Sequence, residues 1–257
     1  MNELQSLVIG LVQGIAEFFP ISSSGHLVIV ESLFKLNVEK LFFFNILLHL
    51  ATLIAIINYY KKDVFEKLKT LFIKDSDSQK LFLKLVVASV PAAIVGVLYE
   101  DNITSIFSSI QSVALVMLLV GIIFTFDKRK TEDKEITLIK SLIIGIAQAL
   151  ALVPGVSRSG ITLFTATRLG ISRVKAAQFS FYMAIPVILG ATILSLKQIP
   201  NDLFVGSELK VMLIGFLSAT VAGIFSIKYL IKFYHKFSLK IWGCYLIVLA
   251  LISLNFL

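Results

Sequence analysis

Charge is scarce in this chain. Of 257 residues only 16% are Asp, Glu, Lys or Arg, while 57% are hydrophobic. Soluble domains carry about a quarter charged residues, so that balance excludes an ordinary soluble domain. Cysteine is scarcer still: Cys244 stands alone inside an apolar run, which excludes an intrachain disulfide and leaves redox compartment unread. No Cys/His cluster suggests zinc, and no Gly-rich loop ending in Lys-Ser or Lys-Thr marks a nucleotide phosphate site. Basic residues are missing altogether before Lys35, so the first apolar stretch lacks the basic flank of a cleaved leader, and none is expected. The five prolines include Pro91 and Pro186 inside long apolar runs, where they predict helix kinks.

What the chain has is long apolar runs. Those at about 41–59, 81–99, 111–126, 176–196, 208–230 and 239–256 approach or exceed the roughly 18 residues a membrane helix needs. The fold class is an all-α, polytopic membrane helix bundle. The net charge of +8 does not point to nucleic acid, because the basic residues lie between spans, as cytoplasmic loops require. Lys61, Lys62, Lys67, Lys69, Lys74 and Lys80 put the loop after the first span inside. Glu100 and Asp101, without a basic neighbour, put the next one outside. Lys128, Arg129, Lys130, Lys134 and Lys140 return the chain to the cytoplasm. The 197–208 connection holds a single Lys and reads as outside. Lys228, Lys232, Lys236 and Lys240 are inside again, and the C-terminus ends outside.

Two further apolar segments share a motif. Gly10-Leu11-Val12-Gln13 followed by Ser22-Ser23-Ser24-Gly25 returns 135 residues later as Gly145-Ile146-Ala147-Gln148 followed by Ser157-Arg158-Ser159-Gly160, with Pro20 and Pro154 slipped by one. Segment 141–167 has basic residues at both ends, Lys140 before it and Arg168, Arg173 and Lys175 after it. It therefore enters and leaves on the cytoplasmic face, turning near Pro154-Gly155. By the same alternation residue 41 is outside, and segment 4–30 re-enters from the exterior if Met1 is outside too, which the basic-free N-terminus permits. Two re-entrant hairpins inserted from opposite faces, each with three spans, make an inverted-topology repeat. The chain reads as one membrane domain, 1–257, built of halves at about 1–126 and 141–257. Phe44 and Phe179 keep the same offset, and Leu83-Lys84 and Leu209-Lys210 echo it at a shorter one. The competing threading has eight full spans. Small residues such as Gly96 and Gly223 suit packing within or between subunits, so a homo-oligomer stays open.

Broken apolar segments at matching points of two halves locate a binding site. Gln13 and Glu17 lie four apart, on one helix face, and a carboxylate in an apolar segment costs several kcal/mol unless paired or hydrated. Ser22-Ser23-Ser24-Gly25-His26 gathers hydroxyls, a flexible backbone and an imidazole, offering a nucleophile or a proton carrier. Pro154-Gly155-Val156-Ser157-Arg158-Ser159-Gly160 sets a guanidinium at a helix N-terminus, where backbone N–H groups and the dipole favour anions. Together these make a phosphate site, with an anion clamp from one half and acid–base groups from the other. A divalent cation, magnesium or calcium, held by Glu17, Gln13 and phosphate oxygens is compatible with oxygen-rich coordination. His49, in mid-span, reads as a packing or hydrogen-bonding residue, and Gln148 as structural. Asn45 and Gln178 read as polar residues solvated at span ends.

At these residues the chain resembles the undecaprenyl-diphosphatase family, also called the bacitracin-resistance proteins. Its motifs stand here as Gln13-Gly14-Ile15-Ala16-Glu17, Pro20-Ile21-Ser22-Ser23-Ser24-Gly25-His26 and Pro154-Gly155-Val156-Ser157-Arg158-Ser159-Gly160-Ile161-Thr162, and the likeness extends through Phe44 to Thr52 and Gln178 to Pro186. The resemblance implies six spanning helices with two re-entrant pairs in the bacterial inner (cytoplasmic) membrane. It also implies a phosphatase, dependent on a divalent cation, that acts on a polyprenyl diphosphate lipid with its site opening to the exterior. Such an enzyme regenerates the monophosphate carrier for cell-wall synthesis and confers bacitracin resistance. Carried over by position, Glu17, Ser23, His26 and Arg158 form the catalytic set. Gln13, Ser22, Ser24, Gly25, Gly155, Ser157, Ser159, Gly160 and Thr162 stand around the substrate. Gln13 occupies a position where many relatives carry Glu, so two metal-binding carboxylates are not implied. Whether Ser23 or His26 attacks phosphorus stays open, and a transporter of lipid phosphate or another anion shares the architecture.

Overall fold

In a computed structural model, residues 1–36, 41–73, 76–106, 109–127, 132–195, 207–234 and 238–256 are described. Among them the chain forms eleven α-helices and no strand. In order these are α1 (Glu3–Ala16), α2 (Ser23–Leu33), α3 (Phe42–Tyr59), α4 (Lys61–Thr70), α5 (Asp77–Ile106), α6 (Ile110–Thr125), α7 (Leu138–Ala149), α8 (Arg158–Arg168), α9 (Arg173–Ser195), α10 (Ser207–Tyr234) and α11 (Leu239–Phe256). Five of them, α3, α5, α9, α10 and α11, are long and apolar enough to cross a membrane. The sixth expected span, 111–126, is the 16-residue α6, which at 1.5 Å per residue is about 24 Å long. The orienting residues Lys74, Lys128, Arg129, Lys130 and Lys236, and the connection 197–206, lie outside the described residues.

Two expected loops are helical. The segment between the first two spans contains α4, a surface helix that buries none of its residues. An Asp63–Lys67 pair 3.2 Å apart, at i and i+4, supports it. Helix α5 continues past residue 99 to Ile106, because nothing in Glu100-Asp101-Asn102 stops a helix once it is running. Pro91 and Pro186 lie inside α5 and α9, which run through them.

Helices α1 and α7 are inside-out relative to those of a soluble protein. Helix α1 buries Ser6, Gly10, Gln13 and Gly14 while exposing Leu4, Leu7, Leu11 and Ile15. Helix α7 buries Ser141, Gly145 and Gln148 and exposes Ile139, Leu142, Ile143 and Ile146. Small and polar residues inside with large apolar ones outside is the arrangement expected when hydrocarbon is the solvent. The chain is a multi-pass membrane protein.

The small residues set the packing. Helix α1 lies along α10, α7 along α5, α6 along α11, and α3 along α10 and α9. A Cβ on Gly10 would strike the Gly215 carbonyl and Ser218 hydroxyl of α10, and one on Gly145 the Ala88 backbone of α5. Between α6 and α11 the contact is reciprocal: a Cβ on Gly121 would sit 2.8 Å from the Gly243 carbonyl oxygen, and one on Gly243 2.6 Å from that of Gly121. Fully buried Phe18, Phe44, Phe124, Phe179 and Phe181 fill the centre. Where α6, α9 and α11 meet, buried Asp127 takes Arg173 Nη2 at 2.6 Å, Ser238 Oγ at 2.8 Å and the Leu239 N–H at 2.9 Å on Oδ2. Composition had shown Arg173 only as a topological marker.

Candidate active site

Both motif segments break their helices for the same reasons. Helix α1 starts on a capping box of Asn2 and Gln5 and ends at Ala16, where Phe18-Phe19-Pro20 cannot continue it. Helix α7 starts on a Thr137 cap and tightens into a 3-10 turn, Leu150–Leu152. Val153 is then extended, at φ −74° and ψ 119°, as the residue before a proline is pushed to be. Gly155 follows at φ 98°, a left-handed turn open to glycine. The second helices begin alike. Ser22 Oγ accepts the Gly25 N–H at 3.2 Å and Ser157 Oγ accepts the Gly160 N–H at 3.1 Å. In each, the cap hydroxyl lies 3.4 Å from a second serine, Ser24 or Ser159. Ser22 is at φ 66°, a conformation a non-glycine residue adopts only when its surroundings hold it.

The two broken segments interlock. Gly155 donates its N–H to Ser24 Oγ at 3.2 Å, and Ser159 Oγ donates to the Phe19 carbonyl at 3.1 Å. The third link is ionic: Arg158 Nη2 donates to Glu17 Oε1 at 2.8 Å. The side chains are 13% and 4% exposed, so the pair is shielded from solvent and each charge depends on the other. Arg158 Nη1 donates to the Ser180 carbonyl of α9 at 3.0 Å. Ser180 Oγ meets Thr162 Oγ1 at 2.6 Å, and Thr162 also donates to the Arg158 carbonyl at 2.8 Å. Of the five guanidinium N–H groups, three remain unengaged among the described residues.

Glu17 is the hub. Its Oε2 accepts from Ser23 Oγ at 2.7 Å and from Gln13 Nε2 at 3.1 Å. His49 Nδ1 lies 2.9 Å from Gln13 Nε2 and 3.3 Å from Glu17 Oε2. Nδ1 can take a hydrogen bond from the Gln13 amide or give one to the Glu17 carboxylate, according to where the ring carries its proton. His49 is thus a hydrogen-bonding residue, as its position suggested, and it belongs to the Glu17 cluster. His26 turns elsewhere. Its Nδ1 lies 2.8 Å from the Ser22 carbonyl and its Nε2 2.7 Å from Tyr245 Oη on α11. A carbonyl can only accept, so Nδ1 carries a proton, and Nε2 shares a hydrogen bond with the tyrosine hydroxyl.

Every residue singled out in the two motifs therefore falls within the interlock or one turn of it. Glu17, Ser23, Gln13 and Arg158 bond to one another directly or through Glu17. Ser22, Ser24, Gly155, Ser157, Ser159 and Thr162 bond the backbones that carry them. Gly25 and Gly160 let α2 and α8 close on Met117 and Phe124 of α6. Gln148, expected to be structural, is buried with neither amide atom bonded among the described residues. Asn45 is a correction: interface water does not account for it, because its Oδ1 is buried and unpartnered among the described residues, beside buried Glu31. Gln178 is half-buried and donates to Asp63 and Tyr182. Ser180 and Tyr245 had no motif to mark them. Ser180 follows Phe179, the repeat partner of Phe44, and lies in the stretch Gln178 to Pro186 where the family likeness continues; those were the available signals.

Chemically, the cluster offers a guanidinium with spare donors, a hydroxyl whose proton is already directed at a carboxylate, and a carboxylate fixed from both sides. No group of three His, Cys, Asp or Glu side chains that could hold a metal gathers among the described residues. Gln13 Oε1, however, is buried without a partner there. An oxygen left bare beside Glu17 fits a cation that draws its remaining ligands from phosphate, as magnesium does.

A family model described as bacitracin resistance protein BacA matches residues 6–252. An undecaprenyl-diphosphatase of Moorella thermoacetica is 40% identical, covering 97% of this chain and 96% of its own length. One of Thermosipho africanus is 40% identical over 97% and 98%. Undecaprenyl-diphosphatase 1 of Clostridioides difficile is 35% identical over 98% and 95%. The likeness runs through the whole chain, both broken segments included.

Proposed function

The chain belongs to the bacitracin resistance protein BacA family, and from that premise we propose that it is an integral membrane phosphatase acting on undecaprenyl diphosphate. It releases the terminal phosphate and leaves undecaprenyl phosphate, the carrier reused in cell-wall synthesis, which confers bacitracin resistance. The observation that carries the reading is Glu17, one carboxylate shared between Arg158 and Ser23.

Arg158 binds the diphosphate with its spare N–H groups and neutralises charge on the transferred phosphoryl group. Ser23 is the nucleophile. Its proton passes to Glu17 as the Oγ–P bond forms and the bridging P–O bond breaks, and the lipid monophosphate leaves with the electron pair. Glu17 passes that proton to the leaving lipid monophosphate oxygen, then takes one from a water molecule that attacks the phosphoserine. The P–Oγ bond breaks, Glu17 returns the proton to Ser23 Oγ and inorganic phosphate departs. His26, with Nε2 turned to Tyr245, orients α2 and the site's edge rather than attacking. Gln13 Oε1 and Glu17 would hold a magnesium or calcium ion beside the phosphate oxygens, where it supplies further charge neutralisation.

The same reading takes the bundle as six spans and two re-entrant hairpins in inverted halves. Helices α1, α2, α7 and α8, of 14, 11, 12 and 11 residues, are each too short for a hydrocarbon core of about 30 Å. The matched caps, the matched α1–α10 and α7–α5 crossings and the reciprocal Gly121–Gly243 contact support a pseudo-twofold. The site then opens to the exterior of the cytoplasmic membrane. A transporter would have no use for a serine bonded to a buried carboxylate.

The test is inorganic phosphate release from undecaprenyl diphosphate by detergent-purified protein, with and without a chelator. Release that the chelator suppresses and magnesium or calcium restores is expected. No release under any condition refutes the phosphatase, and release indifferent to chelator refutes the cation.

A further inference from the structure

We propose that the seam between α5 and α9 is the groove that receives the first part of the polyprenyl tail. The proposal rests on the phosphatase reading above and assigns a specificity site to it. The seam encloses a cavity of about 240 Å³ bordered by Ala92, Ala93 and Gly96 of α5, Gly190 and Ala191 of α9, and Leu152. Among the described residues no charged side chain borders it. Ser89, the one hydroxyl among them, donates back to the Leu85 carbonyl, so nothing in the described wall asks for a polar occupant.

The repeat shows why this opening is not a chance packing flaw. Helices α5 and α9 correspond to α10 and α3 in the other half, and that second seam is shut. A Cβ added to Gly223 of α10 would lie 2.9 Å from Ala55 Cβ of α3, and one on Gly215 would lie 2.5 Å from the Phe44 ring. The residue that corresponds to Ala55, at the offset of 135, is Gly190. Among the described residues a Cβ built there meets nothing within 4 Å, and one on Gly96 meets only Leu152 Cδ1 at 3.9 Å. Where one half closes alanine on glycine, the other places glycine opposite open space. Close packing is the rule in protein interiors, so a seam left open on one side only asks for an occupant.

Position identifies that occupant. Leu152 lies two residues before Pro154, at the break where Gly155 bonds Ser24. Pro186, at the groove's edge, lies six residues along α9 from Ser180, whose carbonyl holds Arg158. At 1.5 Å per residue that is about 9 Å. The groove thus begins beside the diphosphate site and runs along the outward halves of α5 and α9. An amphiphile with a diphosphate head and an uncharged hydrocarbon tail matches this order: ionic cluster, then small-residue channel. Small side chains on both walls leave room for the methyl branches of isoprene units.

The test varies tail length against groove volume. KM and kcat are measured for geranyl, farnesyl and undecaprenyl diphosphates with wild-type protein, Gly190→Ala, Gly190→Leu, Gly96→Leu and, as a control on the lipid-facing side of α10, Leu217→Trp. Among the described residues a Cβ at either glycine meets no atom closer than 3.9 Å, so a leucine there is directed into the groove, and the single methyl of Gly190→Ala keeps the series interpretable if a larger group disturbs folding. In wild-type protein KM falls as the tail lengthens. In Gly190→Leu and Gly96→Leu the undecaprenyl KM rises about tenfold, the loss expected when one or two buried methylenes at about 0.8 kcal/mol each no longer find their place. The geranyl KM and all kcat values stay within about twofold, a change worth under 0.5 kcal/mol. Gly190→Ala gives a smaller shift of the same kind, and Leu217→Trp gives none. Equal KM changes for all three diphosphates, or no change in any, overturn the groove while leaving the phosphatase standing. Wild-type protein that releases phosphate from none of them overturns the phosphatase, and the groove with it.

Discussion

Glu17 bears most of the site's electrostatics. Buried in an apolar bundle, it is tolerable because Arg158 cancels its charge and Ser23 and Gln13 donate to it. Breaking a buried ion pair leaves the surviving charge without compensation, so Arg158→Ala removes the proposed ligand for phosphate and unsettles Glu17 together. Phosphate release by Arg158→Ala should fall by about 10²–10³-fold, the usual cost of losing a donor to developing charge. Ser23→Ala should be inactive and should form no phosphoenzyme when rapidly quenched with labelled diphosphate. His26→Ala should still form phosphoserine, more slowly. A label found on His26 would transfer the nucleophile's role from serine to histidine.

At the scale of elements, short helices with one small-residue face carry the site. Helix α1 holds Gln13, and Glu17 just beyond its end, against the rest of the bundle because Gly10 lets it approach α10 at backbone distance. Gly10→Leu drives α1 off α10 and carries the carboxylate with it. Overpacking of this kind costs about 1–3 kcal/mol, so the variant should unfold at a lower temperature in detergent and lose phosphate release. Gly190→Leu, facing open space, should leave the unfolding temperature unchanged. Equal thermal stability of the two would mean that the Gly10 crossing contributes nothing to the fold. The motif showed that glycine recurs at this point of both halves. Which helix each glycine meets depends on chain segments some 200 residues away for α1.

For the whole molecule the proposed inverted arrangement makes a topological prediction. In a Cys244→Ala background, single cysteines at Asn2 and Lys35 should both react with an impermeant maleimide added outside cells. Cysteines at Lys134 and Ser172 should react only from the cytoplasm. Members of each pair share a side because a re-entrant hairpin returns to the face it left. Eight full spans would split both pairs between the two faces, and that outcome would dismantle the repeat as drawn.

Much of this was legible in the residues alone. Sparse charge and long apolar runs determine a membrane bundle, since no other solvent accepts so much apolar surface. The doubled motif determines where the helices break, because Pro20, Pro154 and the serine caps act within a few residues of themselves. Glu17 and Arg158 announce themselves because an ionised group in an apolar segment must find a partner. Tertiary structure decided the rest. That Glu17 is the common acceptor for Arg158 and Ser23, that His26 faces Tyr245 rather than the carboxylate, that Asp127 ties three helices, and that one seam is open while its counterpart is closed all depend on contacts between distant segments. Local propensity has no term for such contacts: they form only when the helices pack, and packing is decided by the shapes of both partners at once.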